Sequence, residues 1–305
     1  MPTESLKLFL TELIDYAALF PPANLDLISA LRKYRNYIEY ENNWMFSKFI
    51  IPVNQLEFIS ESDMEYYNDF FLLDLSILSG DLSDDINKYK YFKNKFPNKV
   101  KFSGLETSIS NLNELQNYLN IINSIIIDED LDIEVFIELP YGENWIEGMH
   151  NTIKTLFEFN KANKTNFGYK LRCGGINADM FPSPIIVAKT ILNCIENNVP
   201  MKFTAGLHHP FYHFNNSVNT MMYGFFNIFI SGMVAQKYKL DYKQIIKILT
   251  DGNNQNFIFN KDALNWKDYQ ITNEELRRFR MNQFISYGSC SFDEPIEDLI
   301  NLGLF

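Results

Sequence analysis

Eight apolar runs of strand length recur along the chain, separated by stretches with helical periodicity. No other feature restricts the fold as strongly. The runs are Leu13–Leu19, Lys48–Ile51, Phe70–Ile77, Val100–Leu105, Ile133–Leu139, Gly168–Cys173, Met201–Ala205 and Phe284–Cys290. The helical stretches include Asp26–Tyr37, Leu112–Ile122, Asn151–Lys161 and Pro184–Asn197. Strand followed by helix, repeated, is the pattern of parallel βα units. Eight units in 305 residues predict an α/β fold of the closed (β/α)8, or TIM-barrel, kind. A doubly wound open sheet is the alternative, because periodicity does not show closure. With no repeat, low-complexity tract or linker, the expectation is a single domain over 1–305.

The interval between the last two runs is far longer than the roughly 30 residues of a simple βα unit. A helical insertion at about 207–283 is therefore expected between strands 7 and 8. Within it, Met221–Ala235 is the most apolar segment, interrupted by Asn227, Ser231 and two glycines. It is shorter than the roughly 20 residues of a membrane span, so it reads as a buried helix. The triplet Arg277, Arg278 and Arg280 reads as a solvated helix face.

Charge narrows the partners. Lysine and arginine number 27 against 38 aspartates and glutamates, a net charge of −11. That argues against nucleic acid, whose binders carry basic patches. Three scattered cysteines without a CxxC pair suit a reducing cytoplasm rather than a disulfide or zinc scaffold. The N-terminus lacks the basic region and continuous apolar stretch of a signal peptide. The expected setting is cytoplasmic, away from membranes. The sequence leaves room for a homo-oligomer.

Barrel strands are normally continuously apolar, so polar residues near their C-terminal ends point to the catalytic face of such a fold. Asp15 lies in the first run, Glu106 closes the fourth and Glu138 closes the fifth. Lys170 and Arg172 lie in the sixth, Lys202 and Thr204 in the seventh. Strand alternation puts Lys170 and Arg172 on one face of their strand, Lys202 and Thr204 on one face of theirs, and Glu134 and Glu138 on one face of theirs, and these polar faces are read as turned to the barrel axis. Interior ion pairs would explain a few such residues. Six charged residues converging from five strands favour a site, because buried charges are costly without a partner or a task.

Two lysines on neighbouring strands suit Schiff-base chemistry. One amine, made neutral by the adjacent cation and by burial, attacks a carbonyl, and the imine then serves as an electron sink. This assigns Lys170 as nucleophile and Lys202 as the charge that tunes it, with Asp15, Glu106 and Glu138 relaying protons. It also sets a geometric requirement. Lys170 must lie nearer Lys202 or Arg172 than any carboxylate, since a close salt bridge would hold its proton.

An anionic substrate would be held by Arg172, assisted by Thr204, Gly206 and the turn containing Gly288, Ser289 and Ser291. His208 and His209 follow the seventh strand and read as loop residues that orient substrate. A metal-assisted lyase or hydrolase using them with a carboxylate is the alternative. A non-catalytic barrel that binds a ligand or a partner is a third reading. No cofactor is expected.

The motifs LIDYAALFPPA, KLRCGG followed by FPSP, KFTAGLHHP and GSCSFDEP resemble those of an uncharacterised bacterial (β/α)8-barrel family over nearly the whole chain. More remotely, their order is similar to class I aldolases of the deoxyribose-phosphate aldolase type. That resemblance implies a lyase in which Asp15 stands at the acidic position of the first strand and Lys170 at the Schiff-base lysine. It also places Lys202 at the second lysine, Glu138 at the glutamate ending the fifth strand, and Gly288–Ser291 at a phosphate turn. Arg172, Cys173, His208, His209 and the long insertion depart from the aldolase pattern, which points away from deoxyribose phosphate. The expectation is a lyase acting on a small anionic carbonyl compound.

Overall fold

The computed structural model describes residues 2–68, 71–80 and 82–305. Phe70, at the start of the third expected run, lies outside them. Seven strands, β1 (Ile14–Tyr16), β2 (Phe46–Pro52), β3 (Leu73–Ser79), β4 (Val100–Ser108), β5 (Glu134–Glu138), β6 (Gly168–Arg172) and β7 (Met201–Thr204), follow the eightfold rhythm. The insertion adds short strands β8 (His213–Asn215), β9 (Thr220–Met222), β10 (Phe257–Phe259), β11 (Ala263–Trp266) and β12 (Tyr269–Thr272). The eighth barrel strand is β13 (Phe284–Ser289). All eight barrel pairings are parallel and the sheet closes, with β13 between β1 and β7. This is the closed (β/α)8 barrel, and the open-sheet alternative falls.

The outer layer comprises α1 (Glu4–Leu10), α2 (Leu27–Ile38), α3 (Leu82–Lys95), α4 (Leu115–Asp128), α5 (Trp145–Asn163) and α6 (Pro184–Glu196), followed by four C-terminal helices. Local chemistry sets several ends. The Asp26 carboxylate caps α2 by accepting from Ser29 N at 2.9 Å. Pro184 opens α6, where its missing N–H costs nothing. Side chains on the outward faces of the strands, such as Leu171 and Phe203, are buried against this layer.

The insertion differs from expectation in kind. It carries α7 (Phe225–Tyr238), α8 (Tyr242–Leu249) and α9 (Asn273–Asn282), but also a hairpin, β8–β9, and a three-stranded antiparallel sheet, β10–β12. Strands of three or four residues are too short to show alternation. The apolar segment is a helix, beginning at Phe225 because Thr220–Met222 is taken by β9. Every α7 residue from Phe225 to Ala235 is buried. Phe229 packs edge-on against Phe203 of β7 and Tyr287 of β13. Asn227 is polar for a reason: it accepts from Tyr212 N and donates to the carbonyls of Ile248 and Asp251. Among the described residues, no helix is long and apolar enough to cross a membrane.

The arginine triplet is corrected in one member. Arg280 is buried, and its guanidinium donates to the carbonyls of Phe9, Thr11, Phe284 and Ile285. It ties the end of α9 to the N-terminal segment and to β13. Burial lowers its pKa to about 10. The chain ends in α10 (Asp293–Asn301).

Candidate active site

The barrel interior carries an alternating row of charges. At its N-terminal end Glu134 meets Lys48 Nζ at 2.9 Å, and Lys48 Nζ lies 4.0 Å from Asp15. Asp15 Oδ2 accepts from Lys202 Nζ at 2.5 Å, and Lys202 reaches Glu106 Oε1 at 2.6 Å. Glu106 Oε2 lies 3.0 Å from Lys170 Nζ, which also meets Glu138 Oε2 at 2.8 Å. Glu138 Oε1 then faces Arg172 Nε at 3.5 Å, at the C-terminal mouth. Four cations and four carboxylates thus balance along the axis.

Strand register builds this row. Lys170 and Lys202 are direct partners across β6 and β7, and Glu138 is the partner of Lys170 across β5 and β6. Glu106 fits between the two lysines and bonds to both. Hydroxyls complete the shells: Ser76 donates to Glu106 at 2.7 Å and Ser286 to Asp15 at 2.6 Å. The Lys48 backbone N–H also donates to Asp15, at 3.1 Å.

Burial alone would raise both acidic pKa values. For Glu106 it is outweighed by Lys202 and Lys170, and the carboxyl is held far below its ordinary range. For Asp15 it is outweighed by Lys202 and Lys48. Burial pushes the Lys170 amine downward, but Glu106 and Glu138 pull harder, and the net shift is upward. Lys48 is raised in the same way, against burial, by Asp15 and Glu134.

This overturns the geometric requirement set for a neutral Lys170. The neighbouring ammonium is present in register, but a carboxylate is interposed, and the nearest groups to the Lys170 amine are Glu138 and Glu106. At rest Lys170 is an ammonium ion.

Above the row opens a cavity of about 630 Å³. Its lining includes Glu106, Lys170, Arg172, Thr204, Gly206, His208, His209 and Gly288. Asp15 and Lys202 are buried beneath this floor, so they position Glu106 rather than face the cavity. Ser289 and Ser291 are turned to each other: Ser289 Oγ donates to Ser291 O at 2.6 Å. Gly206 sits at φ +73°, just after Ala205 at φ +61°, and this left-handed pair turns the chain along the cavity wall.

The histidines pair separately. His208 Nδ1 lies 3.2 Å from Glu294 Oε2 and 3.8 Å from Cys290 Sγ; His209 Nδ1 lies 2.7 Å from Asp298 Oδ2. Burial would lower the His208 pKa, but Cys290 and Glu294 outweigh it and raise it to about 9. His208 is therefore a cation at neutral pH. Among the described residues, no group of three or more His, Cys, Asp or Glu side chains is placed to hold a metal ion.

Sequence reasoning missed Lys48, Ser76, Ser286, Cys290 and Glu294. Parity did place Glu134 on the same strand face as Glu138, but not its partner, Lys48. Lys48 lies near the start of its strand, where nothing in the sequence sets it apart from a solvated lysine.

No family model, curated protein or solved structure matches this chain.

Proposed function

We propose that the cavity is the active site of a lyase of aldolase type, acting beside the carbonyl group of a small anionic compound. The observation that supports this most is the position of Lys170. It is the one ammonium of the buried row that reaches the cavity floor, flanked by two carboxylates. A row built only to hold the barrel together would not need to open into a cavity at its charged end.

The resting charge changes the mechanism from the imine route. A charged amine does not attack a carbonyl, but it can donate a hydrogen bond to the carbonyl oxygen and stabilise the enolate that forms there. Fixed charges in a low-dielectric site are suited to that task. Glu106 already accepts from Ser76, Lys202 and Lys170, and its depressed pKa makes it a weak base. Glu138 lies just behind the cavity lining, between Lys170 and the half-exposed Arg172, and is the base in this scheme, taking the proton through a water molecule. Arg172 holds the substrate anion, with His208 as a second positive charge across the cavity. Asp15 and Lys202 keep Glu106, and through it Lys170, in place.

The test is exchange of the hydrogens next to the carbonyl into deuterated water, followed by NMR over a panel of small aldehydes, ketones and 2-oxo acids. Wild-type protein is expected to exchange at least one of them, and Lys170→Met to lose about 10²–10³-fold of that rate. Borohydride added to the same mixtures separates the two mechanisms. A reduced adduct on Lys170 would restore the imine route. Absence of exchange across the panel would leave the binding reading ahead.

A further inference from the structure

The cavity is two-sided. On the β4–β6 side its lining is charged: Glu106, Lys170 and Arg172. On the β1–β3 side it is apolar: Ala17, Phe20, Pro21, Pro22, Ile50 and Leu78. Toward the mouth Met180, Val218 and Met222 extend the apolar surface, with Asn215 and Ser217 of the β8–β9 hairpin beside them. We infer that the substrate is a carboxylate with an apolar aliphatic or aromatic body, not a phosphorylated or polyhydroxylated compound. The inference rests on the proposed reading of this cavity as the substrate site.

Three observations carry it. Hydroxyl groups laid against the β1–β3 wall would lose their water and find no hydrogen-bonding side chain there, which disfavours sugars. The turn after β13, the usual phosphate-binding position in this fold, is occupied by its own bonds. Ser289 and Ser291 bond to each other, Ser291 Oγ accepts from Glu294 N at 3.3 Å, and the Glu294 carboxylate stands on the cavity wall. A phosphate there would have to compete with the Glu294 carboxylate for His208. Of the three cations on the lining, Lys170, His208 and Arg172, the least tightly paired is Arg172. It touches Glu138 and Gly174 O only at 3.5 Å, and its planar guanidinium matches a carboxylate in two-pronged fashion.

Calorimetry with unreactive carboxylates tests this without requiring turnover. Hexanoate and gluconate share six carbons and one carboxylate and differ in five hydroxyl groups. Hexanoate is expected to bind at least tenfold more tightly. From acetate to butanoate to hexanoate the affinity should rise about fourfold per methylene. Arg172→Met should weaken every member, and Leu78→Asn should weaken hexanoate while leaving acetate unchanged. Inorganic phosphate should not displace hexanoate. Equal affinity for hexanoate and gluconate, or tighter binding of gluconate or phosphate, would overturn the inference. Repeating the series with Lys170→Met separates the two proposals. If the chain-length trend persists in wild type and variant while neither shows exchange, the ligand class stands and the lyase reading falls.

Discussion

Lys170 shows how one buried carboxylate reverses the meaning of a sequence pattern. Two lysines on adjacent strands do lie side by side, as the motif spacing implies. The expected consequence was a neutral amine. Glu106, from a strand two places away, bridges both ammonium groups, and Glu138 adds a second carboxylate to Lys170. Which face each side chain takes was legible from parity. Which oppositely charged atom it touches depends on strand order and length, which parity does not carry. The same residues give a pH prediction. Glu106 and Asp15 have folded pKa values below their unfolded ones, near 4, so their stabilisation is complete above that range and is lost as pH falls through the folded values. Lys170 and Lys48 are raised, so theirs is complete below about 10.4 and lost as pH rises through the folded values. Denaturant unfolding from pH 2 to 11 should therefore show a plateau between. Glu106→Gln, which leaves two ammonium groups underpaired, should cost about 3–5 kcal/mol on the plateau. That cost should shrink on acidification below pH 4. A cost independent of acid pH would contradict the account.

At the scale of elements, the strands and most helices were readable because each carries a periodic face. The insertion was only half readable. Its long apolar helix was visible, whereas β8–β12 were not, and the β8–β9 hairpin that supplies Val218 and Met222 to the cavity was missed with them. Asn227 measures how firmly this insertion is fixed. Asn227→Leu would leave the Tyr212 N–H and the Ile248 and Asp251 carbonyls without that partner, at about 3 kcal/mol or more in chemical denaturation. A loss under 1 kcal/mol would show that the bonds are replaced by water. Gly104 gives a second test on β4. A Cβ there would come within 2.7 Å of Ser76 Oγ, so Gly104→Ala should displace the hydroxyl that bonds Glu106 and cost about 1–3 kcal/mol. A variant as stable as wild type would show that the β3–β4 contact yields freely.

At the scale of the molecule, a barrel that could have been filled by aliphatic side chains is filled instead by a balanced row of charges ending at a cavity. Burying such charges stabilises less than apolar packing would, so the arrangement is best understood through what it does to Lys170. The central claim is that this amine stays charged under working conditions and acts through its charge. NMR titration of the lysine side-chain signals, with Lys170 assigned by its absence in Lys170→Met, measures this directly. The account predicts that Lys170 remains an ammonium ion through pH 10 and titrates above an exposed lysine. A Lys170 amine that loses its proton near neutral pH would contradict the account and return the site to imine chemistry.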